Sequence, residues 1–193
     1  MDKIKANKRN SKKNLNGAIS KYPEKELFFF DESRFGTHSK VGHGWFKKGI
    51  RTQVKTKLGR QNFYLYSAVN PRNGESSSLF APNVNTDCMN IFLEQMSQYL
   101  ETREAFLVMD CASWHRSKNL KVPKNIDIIY LPPYSPELNP VERLWLYIKQ
   151  NILRNKIYDT IALLEGALCK FITSLASSTI KQLCNVSYLT GQQ

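Results

Sequence analysis

Two short apolar runs, each ending in an aspartate, limit most strongly how this chain can fold. The first is Glu26–Asp31 (ELFFFD) and the second is Ala105–Asp110 (AFLVMD). A third apolar run, Ile126–Leu131, follows the second. Apolar runs of this length without polar alternation are typical of strands that are covered on both faces. We therefore predict an α/β fold, in which a mixed sheet carries helices on its faces.

The rest of the pattern predicts additional strands before the first helix. Alternation predicts a half-exposed strand at residues 52–57, and a β-branched, aromatic run predicts another at Asn62–Val69. The turn sequence Pro71–Gly74 should join that second strand to a strand ending at Phe80. Apolar residues at helical spacing predict helices over Thr86–Leu100, Val141–Ile152 and Asp159–Leu175. This order favours an antiparallel meander followed by parallel strands.

Positive charge is concentrated in the first third of the chain. The whole chain of 193 residues has a formal net charge of +12. Residues 1–60 contain 16 Lys and Arg against 5 Asp and Glu, a net charge of +11. Such an excess attracts polyanions, of which nucleic acid is the commonest inside cells, although a solubilising tail has the same composition. We interpret residues 1–22 as a basic, flexible arm and residues 23–193 as one domain.

Several classes of protein are disfavoured by the sequence. The longest unbroken apolar runs, such as Ala105–Met109, have five residues, far short of the roughly 20 residues of a membrane span. No apolar signal-peptide core follows the basic start. The four cysteines form no CxxC pair, and His38 and His43 have no metal-ligand spacing, so a zinc site is not expected. We expect reduced thiols and a cytoplasmic protein.

Three carboxylates are the candidates for chemistry. Asp31 and Asp110 end the first two buried strands, and the carboxyl ends of parallel strands are where ligands gather in open α/β sheets. Glu142 lies one turn into the helix after the third strand. Carboxylates brought together repel one another unless a cation lies between them, and Mg²⁺ suits one or two carboxylates with waters and phosphates.

Each carboxylate also has a structural interpretation. Asp31 could begin a turn, and Asp110 could cap the turn before Ala112. For Glu142, the preceding Asn139 and Pro140 suit a helix N-cap and first helical position, so that Glu142 would complete a capping box. Both roles of Glu142 are compatible.

Three sequence motifs resemble those of one protein family. They are FFFDESRF with the downstream HGWFKKG, then MDCASWHRSK, and then LPPYSPELNPVERLW, in that order. Together they are similar to the bacterial insertion-sequence transposases related to the Tc and mariner elements. The long proline-rich motif, Leu131–Trp145, is the most specific of the three.

This resemblance implies a ribonuclease-H-like fold, with a mixed five-stranded sheet, and a catalytic triad of Asp31, Asp110 and Glu142. It also implies that these residues bind two Mg²⁺ ions, with Mn²⁺ as a substitute, and that the domain cleaves and joins double-stranded DNA at element ends and target. A homodimer in a DNA complex and association with the nucleoid are implied as well.

The chain departs from the family pattern in two places. Only 31 residues separate Asp110 from Glu142, fewer than in many relatives. Only 30 residues precede Asp31, where family members carry helix-turn-helix domains that recognise the element ends. We therefore expect a catalytic half, and two other interpretations stay open: a structure-selective nuclease of the same fold, and an inactive DNA-binding remnant.

Secondary candidates lie around the triad. His115, five residues beyond Asp110, could contact a phosphate or orient a metal-bound water, or it could make a purely structural hydrogen bond. A set of basic residues, which we call the basic set, could line a path for the DNA backbone: Lys40, Lys47, Lys48, Arg51, Lys55, Lys57 and Arg60.

Overall fold

The computed structural model describes residues 13, 15–37, 48, 59–133 and 135–186. Within these residues the strands are β1 (Glu26–Gly36), β2 (Asn62–Val69), β3 (Ser76–Ala81), β4 (Ala105–Met109) and β5 (Ile126–Tyr130). The helices are α1 (residues 15–21), α2 (Thr86–Leu100), α3 (Val141–Ile152), α4 (Ile161–Ser174) and α5 (Ser177–Cys184). Short 3₁₀ helices occur at Ser113–Arg116 and Pro136–Leu138.

The five strands form one mixed sheet in the order β3-β2-β1-β4-β5. The pairs β1–β2 and β2–β3 are antiparallel, whereas β1–β4 and β4–β5 are parallel. The predicted meander followed by parallel strands is therefore confirmed. The predicted strand at residues 52–57 lies outside the described residues.

Alternate residues of β1 enter two separate cores. Phe28 and Phe30 pack with α2 on one face of the sheet, whereas Phe29 and Phe35 pack with α3, α4 and α5 on the other. Each of these four rings is at most 1% exposed. This double coverage explains why β1 has the unbroken apolar run that predicted a central strand.

The strand β1 is longer than the sequence predicts, and Asp31 lies in its middle rather than at its end. Pairing with β4 stops at Phe29 and Val108, but pairing with β2 continues to Gly36. Asp31 is thus the second residue beyond the parallel pairing. Because β4 ends at Met109, none of its residues pairs with Asp31, and this position of β1 has an open edge on the β4 side.

The first and last helices depart from the sequence predictions. Residues 15–21, predicted as part of a flexible arm, are helical, and Leu15 is only 2% exposed in the core that contains α3. This part of the predicted arm is wrong, because apolar side chains at helical spacing dock on the domain. The last predicted helix, Asp159–Leu175, corresponds to α4, which ends at Ser174. A separate helix that was not predicted, α5, follows it and buries Ile180 and Cys184.

No single helix among the described residues has the length and apolar character to cross a membrane. Only α4 and α5 taken together meet those criteria, and they bend by 93° at the break between them.

The predicted turn between β2 and β3 is confirmed, and it depends on Gly74. This residue has φ +77°, in the left-handed region that favours glycine. A Cβ added there would lie 1.9 Å from the carbonyl oxygen of Ser177, at the start of α5. The turn and α5 are therefore packed too closely for any side chain at this position.

We predict that Gly74→Ala lowers the free energy of unfolding by about 1–3 kcal/mol, because it combines backbone strain with a steric clash. Urea denaturation measures this change. The matched control is Gly166→Ala, which lies within α4 with no atom near the added Cβ and should raise stability by up to about 1 kcal/mol. An unchanged stability of Gly74→Ala would contradict the described turn.

Candidate active site

Asp31 is held in a partly buried, electrostatically strained environment. The indole Nε1 of Trp145, on α3, donates a hydrogen bond of 2.8 Å to Asp31 Oδ2. Burial, together with the negative charges of Glu142 and Glu32, raises the pKa of Asp31 to about 8, although the Trp145 hydrogen bond opposes this shift. Trp145 lies on the buried, apolar face of α3. Its bond to Asp31 needs the packing of α3 on β1.

Asp110 follows β4 directly, and its pKa is shifted in the opposite direction to that of Asp31. Its Oδ1 accepts hydrogen bonds from the backbone N–H of Ala112 (3.0 Å) and from Nδ1 of His115 (2.8 Å). The His115 hydrogen bond lowers the pKa of Asp110, so this carboxyl is ionised. The turn-capping interpretation of Asp110 is therefore confirmed, and Asp110 also remains exposed to the cleft.

His115 links Asp110 to a carboxylate that the sequence did not single out. Its Nε2 lies 2.7 Å from Oε1 of Glu32, and Trp114 Nε1 donates to the same oxygen at 3.0 Å. Burial lowers the pKa of His115, but the hydrogen bonds to Asp110 and Glu32 outweigh it and raise this pKa to about 9. Both ring nitrogens are engaged, which favours the structural role of His115 over direct contact with a phosphate.

Glu142 lies at the start of α3, which is tied to β1. The side chain of Asn139 accepts from Val141 N (3.2 Å) and donates to the carbonyl oxygen of Phe30 at 2.8 Å. The helix begins at Val141, as predicted, and the side chain of the extended Asn139 caps it, although Pro140 is the residue directly before the helix. Among the described residues Glu142 shows no capping hydrogen bond, and its exposed carboxylate interacts with Asp31 through space.

The three carboxylates line one open cleft. Asp31, Asp110 and Glu142 face a space of about 530 Å³, whose walls include the proline-rich loop after β5. The cleft also contains Arg116, a cation that the sequence reasoning missed although it lies six residues beyond Asp110. Within the described part of the chain, no three acidic, histidine or cysteine side chains lie close enough together to hold a metal ion.

Two of the seven residues of the basic set lie in the described part of the chain. Lys48 and Arg60 are exposed, and neither lines the cleft. The other five members lie outside the described residues: Lys40, Lys47, Arg51, Lys55 and Lys57. Their contact with DNA stays a prediction.

A sequence-family comparison agrees with the geometry of the cleft. The family model described as DDE superfamily endonuclease matches residues 26–165, from the start of β1 into α4. The chain belongs to this DDE endonuclease family. The match includes all three carboxylates of the cleft and confirms the relationship that the sequence motifs indicated.

Two sequence relatives are transposable-element proteins. The DDE domain is 28% identical over 137 residues to the 39 kDa protein of insertion element IS630 from Shigella sonnei, covering 68% of this chain and 40% of that protein. It is 25% identical over 171 residues to the Tc3 transposase of Caenorhabditis elegans, covering 82% of this chain and 52% of that protein.

A solved structure shares the fold. The Mos1 mariner paired-end complex with Mn superimposes with a TM-score of 0.69 at 16% identity, covering 92% of this chain and 57% of that chain. The fold of the DDE domain is ribonuclease-H-like, as the motifs implied. The chain spans about half the length of the IS630, Tc3 and Mos1 proteins.

We predict that Glu142→Gln lowers the pKa of Asp31 in the metal-free protein, because it removes one of the negative charges that, together with burial, raise this pKa to about 8. The pKa is measured by ¹³C NMR of the aspartate carboxyl groups. Glu94→Gln, on α2, removes an equal charge on the other face of the sheet and should leave Asp31 unchanged. Equal titration of Asp31 in wild type and Glu142→Gln would refute the coupling.

The same shift makes the stability of the metal-free protein depend on pH. The folded-state pKa of Asp31 is raised above its ordinary value of 3.8. Its contribution to stability is therefore present at low pH and is lost as pH rises towards 8. Glu142→Gln should reduce this loss.

Proposed function

We propose that the DDE domain is the catalytic domain of a DNA transposase. It cleaves DNA strands at the ends of an insertion sequence and joins the freed 3′ ends to target DNA. The observation that carries this proposal is the convergence of Asp31, Asp110 and Glu142, from three different elements, on one open cleft. The relationship to the IS630 and Tc3 proteins supports the choice of substrate.

The chemistry of the cleft residues suits divalent cations, because carboxylate oxygens are the ligands that Mg²⁺ prefers. Burial and the charges of Glu142 and Glu32 raise the pKa of Asp31, and a cation bound between these carboxylates would stabilise their ionised forms. We propose Asp31, Asp110 and Glu142 as ligands of two Mg²⁺ ions, with Mn²⁺ as a substitute. A two-metal site stabilises the attacking and leaving oxygens of an in-line displacement at phosphorus.

The surrounding residues hold this arrangement. Trp145 fixes one oxygen of Asp31, and Asn139 anchors the start of α3 to β1 so that Glu142 stays above the strand. Arg116 provides positive charge on the wall of the cleft, close to the ring of Tyr130. These contacts orient the carboxylates and draw a phosphate backbone towards them.

The proposed partner is double-stranded DNA, both element ends and target. The net charge of +12 supports this partner, as does the shared fold with a Mos1 paired-end complex. We further propose that the protein acts as a homodimer on DNA, that the basic set contacts the backbone, and that the protein is cytoplasmic and nucleoid-associated.

The decisive experiment measures Mg²⁺- or Mn²⁺-dependent nicking and joining of labelled element-end DNA. Asp31→Asn, Asp110→Asn and Glu142→Gln should each lower the rate by about 10³-fold or more, since each removes several kcal/mol of transition-state stabilisation. Asp87→Asn, in the first turn of α2, is the control and should retain the rate.

Two outcomes would overturn the proposal. Activity that survives the triad substitutions would refute the assigned residues. Nicking without joining, on substrates with free 3′ ends, would instead indicate a nuclease of the same fold.

We predict that Arg116→Gln weakens binding of the protein to DNA and leaves its sequence specificity unchanged. Arg116 lines the cleft, where its positive charge would contact the phosphate backbone rather than the bases. The slope of the logarithm of the binding constant against the logarithm of the salt concentration should become shallower by about one unit. Fluorescence anisotropy at several salt concentrations measures both values. Lys118→Gln, an exposed cation two residues away that does not line the cleft, should change them much less.

A further inference from the structure

The two aspartates lie at a point where the sheet no longer holds their strands together. Parallel pairing of β1 and β4 ends at Phe29 and Val108, and Asp31 and Asp110 each lie two residues beyond it. Next to Asp110 the backbone is tied to the end of β5, where Leu131 N donates to the carbonyl oxygen of Met109 at 2.7 Å, but strand pairing no longer ties it to β1. The side chain of His115 spans this gap, since it contacts Asp110 with Nδ1 and Glu32 of β1 with Nε2.

This bridge is almost entirely removed from water. His115 is 1% exposed, and the side chain of Glu32 is 7% exposed. The imidazole ring packs edge-on against Phe30 at 5.6 Å, and Trp114 donates a further hydrogen bond to Glu32. Three hydrogen bonds therefore fix the two polar side chains in one arrangement, and buried charges of this kind are costly unless they are fully paired.

Glu32 itself does not face the cleft. It follows Asp31 in β1, so its side chain lies on the opposite face of the sheet, the face of Phe30 and α2. It is not among the residues that line the cleft. The hydrogen-bonded connection from Glu32 to Asp110 runs through His115, whereas the charge of Glu32 reaches Asp31 through space.

We infer that Glu32 and His115 form a positioning clamp, which holds the carboxylate of Asp110 in register with Asp31 for binding of divalent cations. Glu32 orients the imidazole, and the imidazole fixes Oδ1 of Asp110, leaving its other oxygen towards the cleft. The inference rests on the proposed function, because it takes Asp31 and Asp110 as metal ligands. Groups that orient metal ligands affect metal affinity by about 10–100-fold when they are replaced.

The test measures binding of Mn²⁺ alone to the full chain by electron paramagnetic resonance of the free ion. Glu32→Gln keeps the size of the side chain and removes its charge, whereas Glu32→Asp keeps the charge and withdraws it from His115. Matched controls are Glu26→Gln and Glu26→Asp, in the same strand, where the glutamate pairs with Arg103 at 2.8 Å far from the cleft. Thermal denaturation confirms that each variant is folded.

The clamp predicts that both Glu32 variants weaken Mn²⁺ binding by about tenfold, whereas the Glu26 variants bind as the wild type does. Unchanged affinity of both Glu32 variants would overturn it and leave the network a purely structural one. Weakening by Glu32→Gln alone would also overturn it, since that result indicates an effect of charge at a distance. Equal weakening by the Glu26 variants would indicate a general loss of stability and would refute the clamp.

A double-mutant cycle with His115→Gln tests the route of the effect. If Glu32 acts through His115, the double variant Glu32→Gln/His115→Gln should bind Mn²⁺ about as weakly as His115→Gln alone. Additive losses would contradict the proposed route. If His115→Gln does not fold, the comparison of Glu32→Asp with Glu32→Gln decides the question.

Failure of the clamp can be separated from failure of the proposed function. Asp31→Asn should abolish Mn²⁺ binding at the cleft. If Asp31→Asn does so while both Glu32 variants bind normally, the metal site stands and the clamp is refuted. If the wild type and Asp31→Asn bind Mn²⁺ equally, the metal site itself is refuted and the clamp with it.

Discussion

Burial of a carboxylate beside other negative charges is the constraint on which the architecture of this domain depends. Burial of Asp31, together with the charges of Glu142 and Glu32, raises its pKa to about 8, and this costs stability at neutral pH. Such a cluster persists only where the rest of the structure holds it in place. In this domain the supporting contacts come from both faces of the central strand β1.

On one face, α3 is attached to β1 by polar contacts within an apolar interface. Trp145 packs in the core and still donates to Asp31, and Asn139 reaches the carbonyl oxygen of Phe30. The same helix therefore positions Glu142 and restrains Asp31. On the other face, Glu32 and His115 connect β1 with the residue that follows β4. The two sets of contacts meet at Asp31 and Glu32, which are neighbours in the chain.

The arrangement explains why β1 continues past β4. The extension from Asp31 to Gly36 pairs only with β2 on one side, so its other edge is open. Side chains on that extension can face a cleft of about 530 Å³ without leaving the sheet. A strand that ended at Asp31, as the sequence predicts, would leave Glu32 on a loop, where the strand would no longer direct its side chain towards His115.

The sequence alone determined much of the fold. Apolar runs, the Pro71–Gly74 turn and helical spacing predicted the sheet and α2 and α3 correctly, because these signals are local and repeat along the chain. It also selected the three carboxylates, from their places relative to strands and from the family motifs. Packing of α1, the separate helix α5 and the length of β1 were not predicted, because they depend on contacts between distant segments.

The partners of the carboxylates were decided by tertiary structure. Trp145 lies 114 residues from Asp31, and Glu32 lies 83 residues from His115, so no pattern of spacing links them. Their hydrogen bonds exist only once α3 packs on β1 and β4 aligns beside it. The sequence by itself therefore determined which carboxylates are present and on which elements they lie. The tertiary structure decided their ionisation and their orientation, because burial and charge are properties of the packed neighbourhood.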